Sequence, residues 1–149
     1  MTAISTAAFC SPGGVLEKVT KIQVDPTVVE QPEKITDSMA PNLVRFNLRA
    51  AIKDAHLEEG SSPVKAHIVL EKFTQENATK KLLNFGSGKN INNVDARLVI
   101  EDASGKQLAN VRFHIHGSVA FTHAEGSAED RPATSDFEQR LVQEIERLK

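Results

Sequence analysis

The sequence predicts an α+β domain in which two amphipathic helices pack on one face of a small, mostly antiparallel sheet of about four strands. Two kinds of periodicity predict this class. Four segments alternate apolar and polar residues as half-buried strands do, and two segments repeat apolar residues at helical spacing. Their order along the chain is strand, helix, three strands, helix. With 149 residues, the chain is long enough for one domain with a hydrophobic core.

The first strand is predicted in KVTKIQV. Thr20, Ile22 and Val24 alternate there with polar residues and therefore lie on one face of an extended chain. Pro26 and Pro32 follow, and prolines typically interrupt regular structure. The segment between this strand and the first helix is therefore predicted to be a loop.

The first helix is predicted around Pro41, which suits a first turn because the proline nitrogen has no N–H to leave unbonded. Asp37 or Ser38 is expected to cap its N-terminus, and Gly60 is expected to end it. Its apolar face repeats at steps of three and four residues and consists of Val44, Leu48, Ala51, Ile52 and Ala55.

Three consecutive strands are predicted in AHIVLEKF, VDARLVIE and NVRFHIH, each of which alternates apolar and polar residues. Residues 102–105 join the last two as a hairpin turn, with Gly105 where a positive φ is needed. The side chains expected to face the core are Ala66, Ile68, Leu70, Val94, Ala96, Leu98, Ile100, Val111, Phe113 and Ile115. Those expected to face solvent include Asp95, Arg97, Glu101, Arg112, His114 and His116.

The last helix is predicted in SDFEQRLVQEIERLK. Ser135 and Glu138 have the spacing of a capping box at its start. Its apolar residues lie at steps of four, four and three: Phe137, Leu141, Ile145 and Leu148. Residues 117–134 before it are polar and rich in small residues, which predicts a mobile loop.

Two parts are predicted along the chain: a flexible N-terminal tether at residues 1–16 and a single α+β domain at residues 17–149. In the tether, MTAISTAAFC is followed by SPGG. A small apolar segment before a cysteine is the arrangement of a bacterial lipoprotein precursor. Here, however, the start is not basic, the apolar run is short and Phe9 takes the place of a small residue. Cys10 is therefore either a lipid anchor or an ordinary thiol in the tether.

The stretch LNFGSGKN, residues 83–90, raises the question of a phosphate-binding loop. Such a loop has the pattern GxxxxGK, then Ser or Thr, and it opens a helix. Leu83 takes the place of the first glycine and Asn90 that of the Ser or Thr, and the next segment is predicted to be a strand. Gly86 and Gly88 are therefore predicted to be structural turn residues, and no cofactor is expected.

Composition argues against several classes of function. The net charge of -2 differs from that of nucleic-acid-binding proteins, which usually carry a basic face. No apolar run approaches the roughly 18 residues of a membrane-spanning helix, so membrane contact is expected only through an anchor at Cys10. No GxSxG motif occurs and the carboxylates are spread along amphipathic faces, so the chain is not expected to be an enzyme.

Three histidines are the candidate metal ligands. His114 and His116 are two residues apart on a predicted strand, so both side chains leave the same face of the sheet. His123 follows in the polar loop. Three imidazoles are a suitable ligand set for Zn²⁺ or Cu²⁺. The same strand positions also suit ordinary solvent-facing residues, and this second interpretation is the favoured one.

The segment from Ile68 to Lys149 resembles the bacterial domain of unknown function 4410 family. The resemblance lies in FTQENATKKLLNFGSGKNINNVDARLVIEDASGKQLANVRF and in the closing amphipathic helix. KVTKIQVDP takes the place of the family's first strand, whereas AFTHAEGSAED departs from the glycine-rich stretch expected there. The matching elements, in order, are Phe73-Thr74, Lys80-Lys81, Phe85 to Gly88, Asp95 to Glu101, Asp102 to Lys106, and Leu108 to Phe113.

The resemblance implies a bacterial envelope protein, often a lipoprotein, without known catalytic residues. We therefore expect a non-enzymatic cell-envelope protein that serves as an interaction or structural module in the periplasm or at the outer membrane. Its expected partner is another envelope protein. The alternatives are a metal-binding envelope protein that uses the surface histidines and, for location, the cytoplasm.

Overall fold

The structure of the protein is a computed structural model, which describes residues 14–75, 91–119 and 135–149. Within these residues it consists of a mixed six-stranded sheet and two α-helices, so the α+β class is confirmed. The helices are α1 (Ala40–Asp54) and α2 (Asp136–Leu148), and a short 3-10 helix covers Pro32–Lys34. The strands are β1 (Lys21–Val24), β2 (Val28–Val29), β3 (Glu58–Glu59), β4 (Lys65–Gln75), β5 (Asn92–Glu101) and β6 (Gln107–Gly117).

The sheet contains more parallel pairing than the sequence predicts. Its strands run in the order β3-β1-β4-β5-β6, and β2 also pairs with β4. β1 is parallel to β3 and β4, and β2 is parallel to β4, whereas β4–β5 and β5–β6 are antiparallel. The prediction of about four mostly antiparallel strands is therefore only partly right. The reason is the connection between β1 and β4 along the chain. It crosses over through α1, and such a crossover makes the two strands parallel neighbours.

The proline-containing segment predicted to be a loop instead covers one edge of β4. Glu30 N–H, for example, donates to the Leu70 carbonyl at 3.1 Å. Pro26 lies between β1 and β2, and Pro32 lies between β2 and Ile35, so both are at places where pairing with β4 is interrupted. A residue without an N–H donor is tolerated at such places beside a sheet. Three pairings follow one another in the same direction: Val24 with Ala66, Val28 with Val69, and Ile35 with Phe73.

Helix α1 has Pro41 in its first turn, as predicted, but its N-cap is Met39, which makes no side-chain cap, rather than Asp37 or Ser38. The helix also ends earlier than predicted. At its start, Asp37 Oδ1 accepts a hydrogen bond from the Met39 N–H at 2.9 Å. At its end, His56 has a φ of 67°, and the Leu57 N–H donates to the Ile52 carbonyl at 3.0 Å. This left-handed residue with its six-to-one hydrogen bond closes the helix in a Schellman motif. Gly60, predicted to end the helix, follows β3 instead.

One hydrophobic core lies between the sheet and the two helices. The apolar face predicted for α1 is confirmed, since all five of its residues are fully buried. The predicted core-facing strand residues are buried as well, except Val111, which is half-buried. In α2, Phe137 packs against Phe113 of β6 with 5.5 Å between ring centroids. Of the helices in the described residues, none has the length and apolar character needed to cross a membrane.

A bulge in β4 changes which side chains face the core. The β4–β5 register shifts between Leu70 and Lys72, so Glu71 is an extra residue. Strict alternation from Leu70 would turn Phe73 outward, but the bulge buries its side chain to 1% exposure. As a consequence, Glu71 and Lys72 both lie on the side of the sheet opposite the core.

A buried polar contact joins the start of α2 to α1. Ser135 is the N-cap of α2, as predicted, and its Oγ accepts a hydrogen bond from the Glu138 N–H at 3.1 Å. The same hydroxyl donates to Asn47 Oδ1 at 2.5 Å, and Asn47 Nδ2 donates to the Leu43 carbonyl at 2.6 Å. Because Asn47 and Ser135 are both buried, any other alignment of the two helices would leave polar groups unsatisfied.

The described chain begins against the end of α2. Gly14 N–H donates to the Lys149 carbonyl at 2.8 Å, and Leu16 N–H donates to the Leu148 carbonyl at 2.9 Å. The Leu16 side chain is buried in the core. Of the tether predicted at residues 1–16, the last three residues thus pack with the domain, and the rest lies outside the described residues.

The turn between β5 and β6 has the predicted form. Gly105 has a φ of 88°. Asp102 Oδ1 accepts hydrogen bonds from the Ser104 hydroxyl at 2.7 Å and from the Ser104 and Lys106 N–H groups at 2.9 and 3.1 Å. The hydrogen bond from the Ser104 hydroxyl, joined by those from the two N–H groups, holds the pKa of Asp102 below its ordinary value despite some desolvation.

Replacing His56 by glycine is expected to raise the free energy of unfolding by about 0.5–1 kcal/mol, because glycine adopts a positive φ without the steric cost that a Cβ brings. Lys53→Gly is the matched control. Lys53 is exposed and has helical geometry in the last turn of α1, so its replacement by glycine is expected to lower the free energy of unfolding by about 0.5–1 kcal/mol. Urea denaturation of both variants measures the difference. A loss of stability in both variants would contradict the assignment of His56 to the helix-ending position.

Candidate interaction surface

The outer face of the sheet, meaning the face turned away from α1 and α2, carries most of the predicted solvent-facing residues. All of these side chains are partly or fully exposed. The alternation that turns Ala66, Ile68 and Leu70 inward also puts Glu71 on this face, and the bulge adds Lys72 to it. The charged and imidazole side chains on this face include Glu71, Asp95, Arg97, Arg112, His114 and His116.

Four side chains form a row of ion pairs across the outer face. Arg97 on β5 is its centre: Nη2 lies 2.6 Å from Glu30 Oε2, and Nε lies 3.0 Å from Glu71 Oε2. Arg112 on β6 reaches the same oxygen of Glu71 with its Nη2 at 2.9 Å. The row therefore connects Glu30, in the segment beside β4, with one residue each of β4, β5 and β6.

Glu71 is the residue on which this row depends. Arg97 and Arg112 lie directly opposite each other in the β5–β6 pairing, where like charges repel. The bulge places one carboxylate within hydrogen-bonding distance of both guanidinium groups. The Glu71 side chain is 14% exposed and that of Arg97 is 22% exposed, whereas that of Arg112 is 69% exposed. Solvent and salt therefore weaken the Glu71–Arg97 attraction less than the Glu71–Arg112 attraction.

Two buried valines lie among these charges. Val69 on β4 is 6% exposed and Val99 on β5 is 2% exposed, although both belong to the outer face. Val69 lies opposite Arg97 in the strand pairing, and the aliphatic stem of an arginine commonly covers apolar neighbours. Part of the outer face is thus apolar beneath its charged layer.

The two described histidines of the predicted metal site lie side by side on the outer face. His114 Nδ1 is 2.5 Å from Asp95 Oδ1, and these residues are opposite each other in the β5–β6 pairing. His116 lies opposite Asn93, and His123 lies outside the described residues. Within the three described segments, no group of three or more His, Cys, Asp or Glu residues is arranged to hold a metal ion. The three-histidine site stays a prediction.

The two ends of the sheet differ in length. β6 has 11 residues, and no described strand pairs with its second edge. The segment from Lys106 to Gly117 contains lysine, arginine and histidine but no acidic residue. β3, at the other end, consists of two residues, Glu58 and Glu59. Both glutamates have a cationic neighbour: Lys21 Nζ lies 3.9 Å from Glu58 Oε1, and Arg49 Nε lies 3.2 Å from Glu59 Oε1.

The two ends of the polar loop predicted at residues 117–134 are joined. Ser118 N–H donates to Asp136 Oδ2 at 2.7 Å, and Asp136 N–H donates to the Ser118 hydroxyl at 3.0 Å. Gly117 lies so close to the Asp136 carboxylate that a Cβ there would overlap it. The joined pair forms the base of the loop, while residues 120–134 lie outside the described residues.

Three further predicted positions fall outside the described residues. These are Cys10 of the tether and Gly86 and Gly88 of the LNFGSGKN stretch. Their assignments as lipid anchor and as turn residues remain predictions.

Solved structures of PelC from Paraburkholderia phytofirmans are similar to this chain. One PelC dodecamer has a TM-score of 0.55 at 7% identity, with 87% of this chain and 88% of that chain covered. A dodecamer of a PelC point variant has a TM-score of 0.58 at 9% identity, with 93% and 94% covered. A minor lipoprotein from Acinetobacter baumannii has a TM-score of 0.45 at 11% identity, with 85% and 92% covered.

These similarities show a shared fold with PelC. No protein-family model matches the chain, and no curated protein matches it either. The resemblance to the domain 4410 family is therefore not confirmed. What the structure defines is an α+β domain with a charged outer sheet face and one long edge that no described strand covers.

A double-mutant cycle is expected to separate the two ion pairs of Glu71. Glu71→Gln combined with Arg97→Met is expected to give a coupling free energy of about 0.5–1 kcal/mol, because both side chains are shielded from water. Glu71→Gln combined with Arg112→Met serves as the comparison and is expected to give less than about 0.5 kcal/mol. Urea denaturation of all variants supplies the values. Equal coupling in the two cycles would contradict the central position of Arg97.

Proposed function

We propose that this chain is a non-enzymatic bacterial envelope protein that acts through contacts with other proteins, copies of itself included. The observation that carries this proposal is β6, an eleven-residue strand whose second edge no described strand covers. An open edge of this kind is a ready template for another chain. The charged outer face continues onto the same strand, so the edge and the face together offer a surface that selects its partner by charge.

Two further observations support parts of this proposal. PelC, which shares the fold, forms a dodecamer, and this supports self-association as a mode of contact. The resemblance to the domain 4410 family and the arrangement of the first residues support the envelope, with Cys10 as the anchor in one form of the proposal. Within the envelope, we further propose the periplasm or the outer membrane as the location of the protein.

The envelope location is tested by fractionating cells of the source organism and measuring the intact mass of the protein. We expect the protein in the envelope fraction. If Cys10 is the anchor, the chain is expected to begin at this residue and to carry the added mass of a diacylglyceryl group. Expression of Cys10→Ser is the control and is expected to release the protein from the membrane. An unmodified chain in the cytosol would overturn the envelope proposal.

Metal binding is the second candidate function, and the contact between His114 and Asp95 favours it. A carboxylate that accepts a hydrogen bond from one imidazole nitrogen orients the ring and leaves the other nitrogen for a metal ion. His116 leaves the same face of β6 two residues further on. These two imidazoles would supply part of a Zn²⁺ or Cu²⁺ site, which requires at least one more ligand.

Calorimetric titration of the full chain with Zn²⁺ and with Cu²⁺ tests this candidate. We expect His114→Ala to abolish binding and Asp95→Asn to weaken it by about tenfold, as is usual for the partner of a ligating histidine. His67→Ala is the control, because His67 lies on β4 and is expected to leave the affinity unchanged. Wild-type binding no tighter than millimolar would remove the candidate.

A further inference from the structure

We propose that residues 14–16 form a releasable clasp, which connects the chain before Gly14 to the ends of both helices and opens before the rest of the domain unfolds. A pull on residues 1–13 then lengthens the connection to the domain without breaking its core. The inference goes beyond the proposed function, because it concerns how the domain holds its N-terminal segment and applies at any location in the cell.

The first step of the argument is that the clasp caps the end of α2. The last carbonyl groups of an α-helix have no partner within the helix. Here the Leu148 carbonyl accepts from the Leu16 N–H at 2.9 Å, and the Lys149 carbonyl accepts from the Gly14 N–H at 2.8 Å. Gly14 passes so close to the helix that a Cβ on it would overlap the Leu148 carbonyl group. This approach to α2 therefore requires glycine at position 14.

The second step is that the clasp contacts the core and, through one residue, the first helix. The Leu16 side chain is 1% exposed and belongs to the hydrophobic core. Lys149, which accepts from Gly14, also donates its Nζ to the Ala55 carbonyl just after α1 at 2.8 Å. The start of the described chain and the ends of α1 and α2 are thus held together at one place.

The third step is that the clasp has fewer connections to the domain than the strand that follows it. β1 begins at Lys21 and pairs on both sides, with β3 and with β4. Residues 14–19 reach the rest of the described domain chiefly through the two hydrogen bonds to α2, the buried Leu16 and the half-buried Val19. Segments with few such connections open locally, at a lower free energy than the whole domain.

The length of the released segment follows from the next fixed point along the chain. Thr20 is held by its carbonyl, which accepts from the Glu58 N–H at 2.9 Å. Two further hydrogen bonds, from Glu17 N–H to the Gly14 carbonyl and from Val19 N–H to the Leu16 carbonyl, lie within the segment itself. Opening therefore frees residues 14–19, which extend by at most about 20 Å.

Force spectroscopy on single molecules of the full chain tests the release. Cys10, the only cysteine of the sequence, provides one attachment point, and Ala103→Cys in the exposed turn between β5 and β6 provides the other. We expect a reversible lengthening of at most about 20 Å at a force below the one that unfolds the domain. A domain that unfolds without this earlier lengthening would overturn the inference.

Two glycine variants separate the clasp from other effects. Gly14→Ala is expected to hold the clasp open, because its Cβ overlaps the end of α2. Gly60→Ala is the matched control, since the nearest atom to a Cβ there is in the Lys21 side chain at 3.5 Å, an ordinary contact. The early lengthening is expected to disappear in Gly14→Ala and to stay in Gly60→Ala. Its persistence in Gly14→Ala would contradict the assignment of the clasp.

Hydrogen exchange measured by NMR distinguishes an open clasp from a lost fold. In Gly14→Ala we expect the Leu16 N–H to exchange at least about tenfold faster than in the wild type, because the segment loses both hydrogen bonds to α2. The amides of the last turn of α2 are expected to exchange faster as well, whereas that of Leu98 in β5 keeps its rate. Unchanged exchange at Leu16 would overturn the inference, and so would an equal increase at Leu16 and Leu98, because residues 14–16 would then open only with the whole domain.

Discussion

The pairing of β4 along both of its edges is the constraint on which the rest of this structure depends. On one side β1, β2 and Ile35 follow it in parallel, and on the other side β5 runs antiparallel to it. The bulge at Glu71 then does two things at once. It turns the Phe73 ring into the core and directs a carboxylate between the arginines of the outer face. The inward position of Phe73 is thus a consequence of the bulge, and the bulged residue itself carries the carboxylate that both arginines contact.

Local patterns were sufficient to predict much of this fold. The apolar face of α1, the alternation in β5 and β6, the Ser135 cap and the turn at Gly105 each depend on residues a few positions apart. The same alternation placed His114 and His116 together on one face. These features follow from backbone geometry alone, so a single sequence is enough to predict them.

The features that sequence reasoning missed depend on distant residues or on competing signals. β2 and β3 have two residues each, too few to show a period, and their parallel pairing requires a crossover that no local pattern encodes. Glycine is the more usual residue just after a helix, so Gly60 was expected to end α1. The Schellman hydrogen bonds nevertheless form at His56. The bulge at Glu71, by contrast, does have a signal in the sequence. In AHIVLEKF the apolar steps are two, two and then three, and the step of three marks the bulge.

The contact between Gly14 and Lys149 has a geometric consequence for how the domain meets its surroundings. It brings the start of the described chain to one end of α2, while Ser118 and Asp136 hold the base of the polar loop at the other end. A helix of 13 residues is about 20 Å long. α2 therefore keeps Gly14, where the described chain begins, about that distance from Ser118 and Asp136.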